Sequence, residues 1–158
     1  MIKVGDRIPS HKLTAATAEG PREMTTEEVF GGKTVVLFAV PGAFTPTCSA
    51  RHLPGFVEQL DAIKARGVDT VACTAVNDVF VLDAWAKAGG ADGVLMLADG
   101  SGTFARAPGL ELDLTARGLG MRSQRYAMVA RDGVVAHLAV EGPGGFDVSR
   151  AEAVLAVL

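Results

Sequence analysis

The stretch that most limits what this chain can fold into is Thr34-Val35-Val36-Leu37-Phe38-Ala39-Val40, broken by Pro41-Gly42. An unbroken apolar run of strand length, rich in β-branched residues, reads as a central strand buried on both faces. Pro41 and Gly42 end it in a turn. Thr45 and Pro46 then begin a helix, with Thr as N-cap and Pro at the first helical position, where a missing N–H costs nothing. Cys48 therefore falls in the first helical turn, near unpaired backbone N–H groups and the positive end of the helix dipole. Both favour the thiolate, the reactive form of cysteine. Open α/β sheets bind ligands at the carboxyl ends of their strands, and this is where the cysteine sits.

The 158 residues suffice for one domain with a real core, spanning residues 1–158. With 49% hydrophobic and 21% charged residues, the composition is that of a soluble globular protein and not of a disordered chain. A net charge of −3 and the lack of basic clusters interleaved with aromatics argue against nucleic acid as a partner. The run before Pro41 is the longest apolar segment and is far too short to span a bilayer, so no membrane partner is expected. Met1 to Asp6 lacks the long apolar region of a signal peptide. Two cysteines do not make a disulfide scaffold, and a reducing cytoplasm is the expected location.

Along the chain, Val4 and Ile8 among polar neighbours suggest a short edge strand over 3–9, stopped by Pro9. Thr25 with Glu28 forms a capping-box pattern opening a short helix that closes at Gly31-Gly32. Pro54 should kink the cysteine helix. Beyond it Phe56, Val57, Leu60 and Ile63 recur at helical spacing, with Gly67 as terminator. A buried strand over 68–76 contains Cys73, Asn77-Asp78 caps a helix with Val79, Leu82 and Trp85, and 94–97 is a third buried strand. Residues 109–123 give no decisive pattern. Arg131-Asp132-Gly133 between two β-rich runs signals a hairpin. Ser149 and Glu152 suggest a capping box for the last helix. The order β-α-β-α-β, hairpin, helix predicts an α/β thioredoxin-like fold: a central mixed sheet flanked by helices, with an N-terminal extension.

In a thioredoxin-type oxidoreductase the turn after the strand carries Cys-x-x-Cys. Here the tetrad is Thr45-Pro46-Thr47-Cys48, with only the second sulfur left. Pro41, Thr45 and Cys48 match the spacing Pro-x-x-x-Thr-x-x-Cys, which resembles the peroxiredoxins. The run from Val40 to Ser49 and His52-Leu53-Pro54-Gly55-Phe56 is similar to the peroxiredoxin 5, or type II, subfamily. The likeness extends through 72–78 and Arg125-Tyr126-Ala127-Met128-Val129, and covers essentially the whole chain. The resemblance implies reduction of hydrogen peroxide and alkyl hydroperoxides by Cys48, through a sulfenic acid. It assigns Arg125 to hold the sulfur ionised and stabilise transition-state charge. Thr45 would offer its hydroxyl to the peroxide, and Pro41 would shield the pocket from water. It also implies a homodimer formed near the active site, with no metal and no organic prosthetic group.

Some subfamily members carry a resolving cysteine in the loop before the last helix. Here that loop reads Gly145-Phe146-Asp147-Val148-Ser149, without sulfur. The resemblance then points to recycling by glutathione with glutaredoxin, or by thioredoxin, as external thiols. Cys73 matches the second cysteine of many such members, yet a mid-strand cysteine is usually buried and inert. Other readings stand beside these. Thr45 serves equally as a plain cap. Arg122 and Arg117 compete with Arg125. His52, four residues after Cys48, could share a metal with it, although no second Cys/His pair supports this and a structural hydrogen bond is simpler. Trp85 and Met128 read as core, and Gly144-Gly145 as a turn. Two further function classes remain: a redox adaptor forming mixed disulfides through one cysteine, and a non-catalytic thioredoxin-like interaction module. Threonine in place of the first tetrad cysteine argues against the former.

Overall fold

The computed structural model describes residues 1–158. Seven strands form one mixed sheet in the order β2-β1-β5-β4-β3-β8-β9. Its centre is parallel: β3 (Thr34–Ala39) lies beside β4 (Thr70–Ala75), and β4 beside β5 (Leu95–Ala98). Antiparallel strands complete both sides, β8 (Tyr126–Arg131) and β9 (Val134–Val140) on one, β1 (Lys12–Thr17) and β2 (Gly20–Thr25) on the other. Alternation along β3 divides the core. Val36 and Phe38 face a cluster with α2 (Leu53–Glu58), α3 (Leu60–Ala65), α4 (Val79–Ala88) and α6 (Ala151–Leu155). Val35, Leu37 and Ala39 face a second cluster with α1 (Thr26–Phe30) and α5 (Thr103–Arg106). Every β3 residue after Thr34 is buried, as the unbroken apolar run requires.

Local signals hold where their partners are local. Thr25 caps α1 in a complete capping box with Glu28, and Asp78 caps α4 by accepting from the Val81 amide. Asp132 and Gly133, both at positive φ, turn β8 into β9. Pro54 acts through the preceding turn: Cys48–His52 is a π-helical turn, in which the Leu53 amide reaches the Cys48 carbonyl. The wider turn absorbs the hydrogen bond that Pro54 cannot donate.

Two expectations differ from the fold, and one undecided stretch acquires a structure. Residues 3–9 form no strand and contribute only an isolated bridge, Arg7 to Val134. Instead β1 and β2 form a hairpin beside β5. The undecided stretch 109–123 is a separate two-stranded hairpin of β6 (Glu111–Leu114) and β7 (Gly120–Ser123). Ser149 does not cap α6, whose N-cap is Arg150 without a side-chain bond; its hydroxyl donates to Glu141 instead.

Candidate active site

The turn after β3 is shaped by close backbone approaches. A Cβ on Gly42 would lie 2.9 Å from an Arg122 guanidinium nitrogen, so glycine allows that side chain to cross the turn. Arg122 there donates to the carbonyls of Leu119 and Pro41. The Ala43 amide donates to Asn77 Oδ1, tying the turn to the start of α4. Phe44 adopts a left-handed φ of 63° and is 56% exposed. Thr45 starts the helix through its backbone, its carbonyl accepting from the Ser49 amide. Its hydroxyl does not cap an amide; it donates to the Gly42 carbonyl at 2.6 Å.

Cys48 is fully buried. Register pairs Ala39 with Tyr126, so Arg125, just ahead of β8, stands at the carboxyl end of β3. Its Nη2 donates to Cys48 Sγ at 3.0 Å, and its Nη1 to His52 Nδ1 at 2.8 Å. Of the three arginines weighed from the sequence, this is the one that meets the sulfur. Arg122 is bound to the turn and Arg117 is exposed on the rim.

A guanidinium can only donate, so His52 Nδ1 must be the acceptor and its proton must sit on Nε2. That nitrogen donates to the Ser149 carbonyl at 3.0 Å. Burial, and then the Arg125 charge, push His52 down to about 3 and keep it neutral. The ring lies among Phe38, Phe56 and Phe146, with centroids 5.0, 5.6 and 5.1 Å away. Both nitrogens are engaged, so His52 has no lone pair for a metal shared with Cys48; its role is the structural hydrogen bond. No group of three or more His, Cys, Asp or Glu residues is arranged to hold a metal ion.

Cys73 projects from β4 into the same cluster as Cys48 and is equally buried. Burial pushes its thiol well up, with the Cys48 sulfur adding to the effect, so it stays protonated and a poor nucleophile. Both cysteines are free. Trp85 and Met128 are core residues, but the Trp85 indole also donates to Ser49 Oγ, one residue past Cys48.

A cleft of about 450 Å³ opens beside the cysteine, lined by Pro41, Thr45, Arg125, Leu112, Leu119 and Glu141 among others. Cys48 lies behind its wall, and Arg125 belongs to both. A larger hollow of about 540 Å³ near Met1 and Pro108 shares no residue with it. Glu141 and Phe146 draw no role from the sequence, and Ser149 reads there only as a helix cap. The loop fold that brings Ser149 onto Glu141, and Phe146 against His52, has no local sequence mark.

A buried cysteine at the end of a parallel strand, met by an arginine from the returning antiparallel strand, defines a thioredoxin-like redox protein. The Redoxin family profile matches residues 3–155. The chain is 49% identical over 164 residues to the chloroplastic peroxiredoxin-2E-2 of Oryza sativa subsp. japonica, covering 99% of this chain and 72% of that protein. Its fold superposes with a TM-score of 0.96 on reduced Prx3 from Vibrio vulnificus in complex with H2O2, at 52% identity and 99% coverage of both chains. Peroxiredoxin 5 from Alvinella pompejana gives a TM-score of 0.87 at 36% identity, covering 99% and 97% of the two chains. The chain belongs to the peroxiredoxins, in their type II branch. Peroxiredoxins are thiol-dependent peroxidases with an antioxidant role, and they work through cysteine chemistry without a prosthetic group.

Proposed function

We propose that Cys48 is the peroxidatic cysteine and that the enzyme reduces hydrogen peroxide and alkyl hydroperoxides. The observation that carries this is the 3.0 Å bond from Arg125 Nη2 to Cys48 Sγ. A fixed cation there stabilises negative charge on sulfur and on the oxygen it attacks, in a site shielded from water. The thiolate attacks one peroxide oxygen; an S–O bond forms as the O–O bond breaks. Sulfur is oxidised by two electrons to sulfenic acid, and the departing oxygen leaves as water or an alcohol after taking a proton. Thr45 lies on the cleft wall; its hydroxyl donates to the Gly42 carbonyl, which leaves its oxygen able to accept from a peroxide O–H. Pro41 walls the same cleft and restricts water. Leu112, Leu114 and Leu119 offer apolar surface for an alkyl group.

Recycling falls to an external thiol, because burial holds the Cys73 thiol protonated and makes it a poor nucleophile for the sulfenic acid. A glutathione thiolate would attack sulfenic sulfur, releasing water and leaving a mixed disulfide for glutaredoxin; thioredoxin is the alternative reductant. Free cysteines suit a reducing cytoplasm. A homodimer near the active site would cover Phe44 and Phe80, which are 56% and 72% exposed. The Ala43–Asn77 bond joins the segments that carry them.

The test mixes reduced protein with equimolar hydrogen peroxide and follows thiol loss rapidly, with intact masses of wild type and Cys48→Ser. Fast loss, abolished in Cys48→Ser, with gain of one oxygen or of supplied glutathione, is the expected result. Loss no faster than that of a free thiol would refute the reading and favour a redox adaptor.

A further inference from the structure

We propose that Glu141 is a positioning residue for the peroxidase reaction, setting the direction of the Arg125 guanidinium through Ser149 and His52. The inference rests on the assignment of Cys48 and Arg125 above. Glu141 follows directly on β9, and its own amide donates to the Arg125 carbonyl at 2.9 Å. One carboxylate oxygen, Oε2, accepts from the Asp147 amide at 2.7 Å, the Ser149 amide at 2.8 Å and the Ser149 hydroxyl at 2.7 Å. Three donors converging on one anionic oxygen make a strong anchor for the 141–149 loop. Those bonds hold the carboxyl below the usual range even though partial burial pushes it upward. Ser149, fully buried, spends its hydroxyl here and not on capping α6.

The anchored residue then presents its carbonyl to His52 Nε2. This contact gives the Nε2 proton its only acceptor and so reinforces the tautomer that Arg125 requires at Nδ1. While Nε2 donates to Ser149, Nδ1 is bare and accepts from Arg125. If the carbonyl moved, the proton could pass to Nδ1 and point at the guanidinium, and the 2.8 Å contact would become donor against donor. Arg125 would lose its second attachment, and its remaining bond to Cys48 would no longer be fixed in direction. Glu141 thus holds Arg125 twice, at the backbone directly and at the guanidinium through two intermediaries. Catalytic groups need such supporting contacts to stay within a fraction of an ångström of the productive geometry. A staple that only tidies the loop before α6 would leave the His52 tautomer and the reaction rate untouched.

The test compares wild type, Glu141→Ala, Glu141→Asp and Glu141→Gln. Its readouts are the second-order rate of thiol oxidation by hydrogen peroxide and the ring ¹⁵N signals of His52 in the reduced protein. Wild type should show a protonated Nε2 and a bare Nδ1. Glu141→Ala should show mixed tautomers and a rate at least about tenfold lower, the scale of losing a supporting contact to a catalytic group. Glu141→Asp withdraws the carboxylate by one methylene and should move both readouts the same way, which keeps the test open if the alanine variant does not fold. Glu141→Gln retains an oxygen in place and should restore both towards wild type. A wild-type His52 signature in the Ala and Asp variants would overturn the proposal, as would an altered signature with an unchanged rate. A wild type no faster than a free thiol would end the peroxidase assignment itself, while the ring signals would still report whether Glu141 sets the tautomer.

Discussion

Acid should strip stability from this fold through His52, in a window that its surroundings define. The ring is buried among Phe38, Phe56 and Phe146, and its Nδ1 faces the Arg125 guanidinium. Burial first, and the Arg125 charge second, take it from an ordinary 6.5 down to about 3. In the unfolded chain the imidazole titrates normally, so between these values the unfolded state binds more protons than the folded state. Stability therefore rises with pH across the window; it is fully present above about 6.5 and is lost as pH falls toward 3. Each pH unit well inside the window removes up to about 1.4 kcal/mol, and the whole shift is worth on the order of 5 kcal/mol. The assay is urea unfolding of wild type and His52→Gln from about pH 4 to about pH 8. Carboxylates titrate in both proteins and largely cancel in the comparison. Wild type should lose stability more steeply than His52→Gln below about pH 6, by up to one proton's worth of slope. Parallel profiles would refute the argument that His52 is held neutral by its buried contacts.

Cys73→Ala should keep the fast reaction with peroxide, because the thiol it removes is buried and protonated; it should lose about 1 kcal/mol from the small cavity left behind, read by urea unfolding. Intact mass after oxidation should show no loss of two hydrogens in wild type, and such a loss would make Cys73 a resolving partner. Asp99 accepts from the Phe104 and Ala105 amides and so caps α5, whose N-cap position is a glycine. Asp99→Ala should cost about 1–2 kcal/mol in thermal or urea unfolding, and an unchanged stability would show that water replaces the carboxylate there.

The chain's own sequence determined the features whose causes lie within a few residues of each other. The apolar run to Val40, the Pro41-Gly42 stop and the Thr45-Pro46 start put Cys48 at a strand-to-helix turn before any contact is known. The Thr25–Glu28 box, the Asp78 cap and the Asp132-Gly133 turn are of the same kind. Pairings between distant segments were decided by the tertiary structure alone. The β1–β2 hairpin went unseen because β2 is largely exposed and carries no apolar alternation. Ser149 reads locally as a helix cap, yet Glu141 takes its hydroxyl, since a carboxylate brought in by β9 is the stronger acceptor. Likewise Arg117, Arg122 and Arg125 are equivalent as letters, and only the antiparallel register of β8 against β3 brings Arg125 to the sulfur. Caps and turns are satisfied by neighbours in the chain. A guanidinium aimed at a thiol depends on which strands lie side by side.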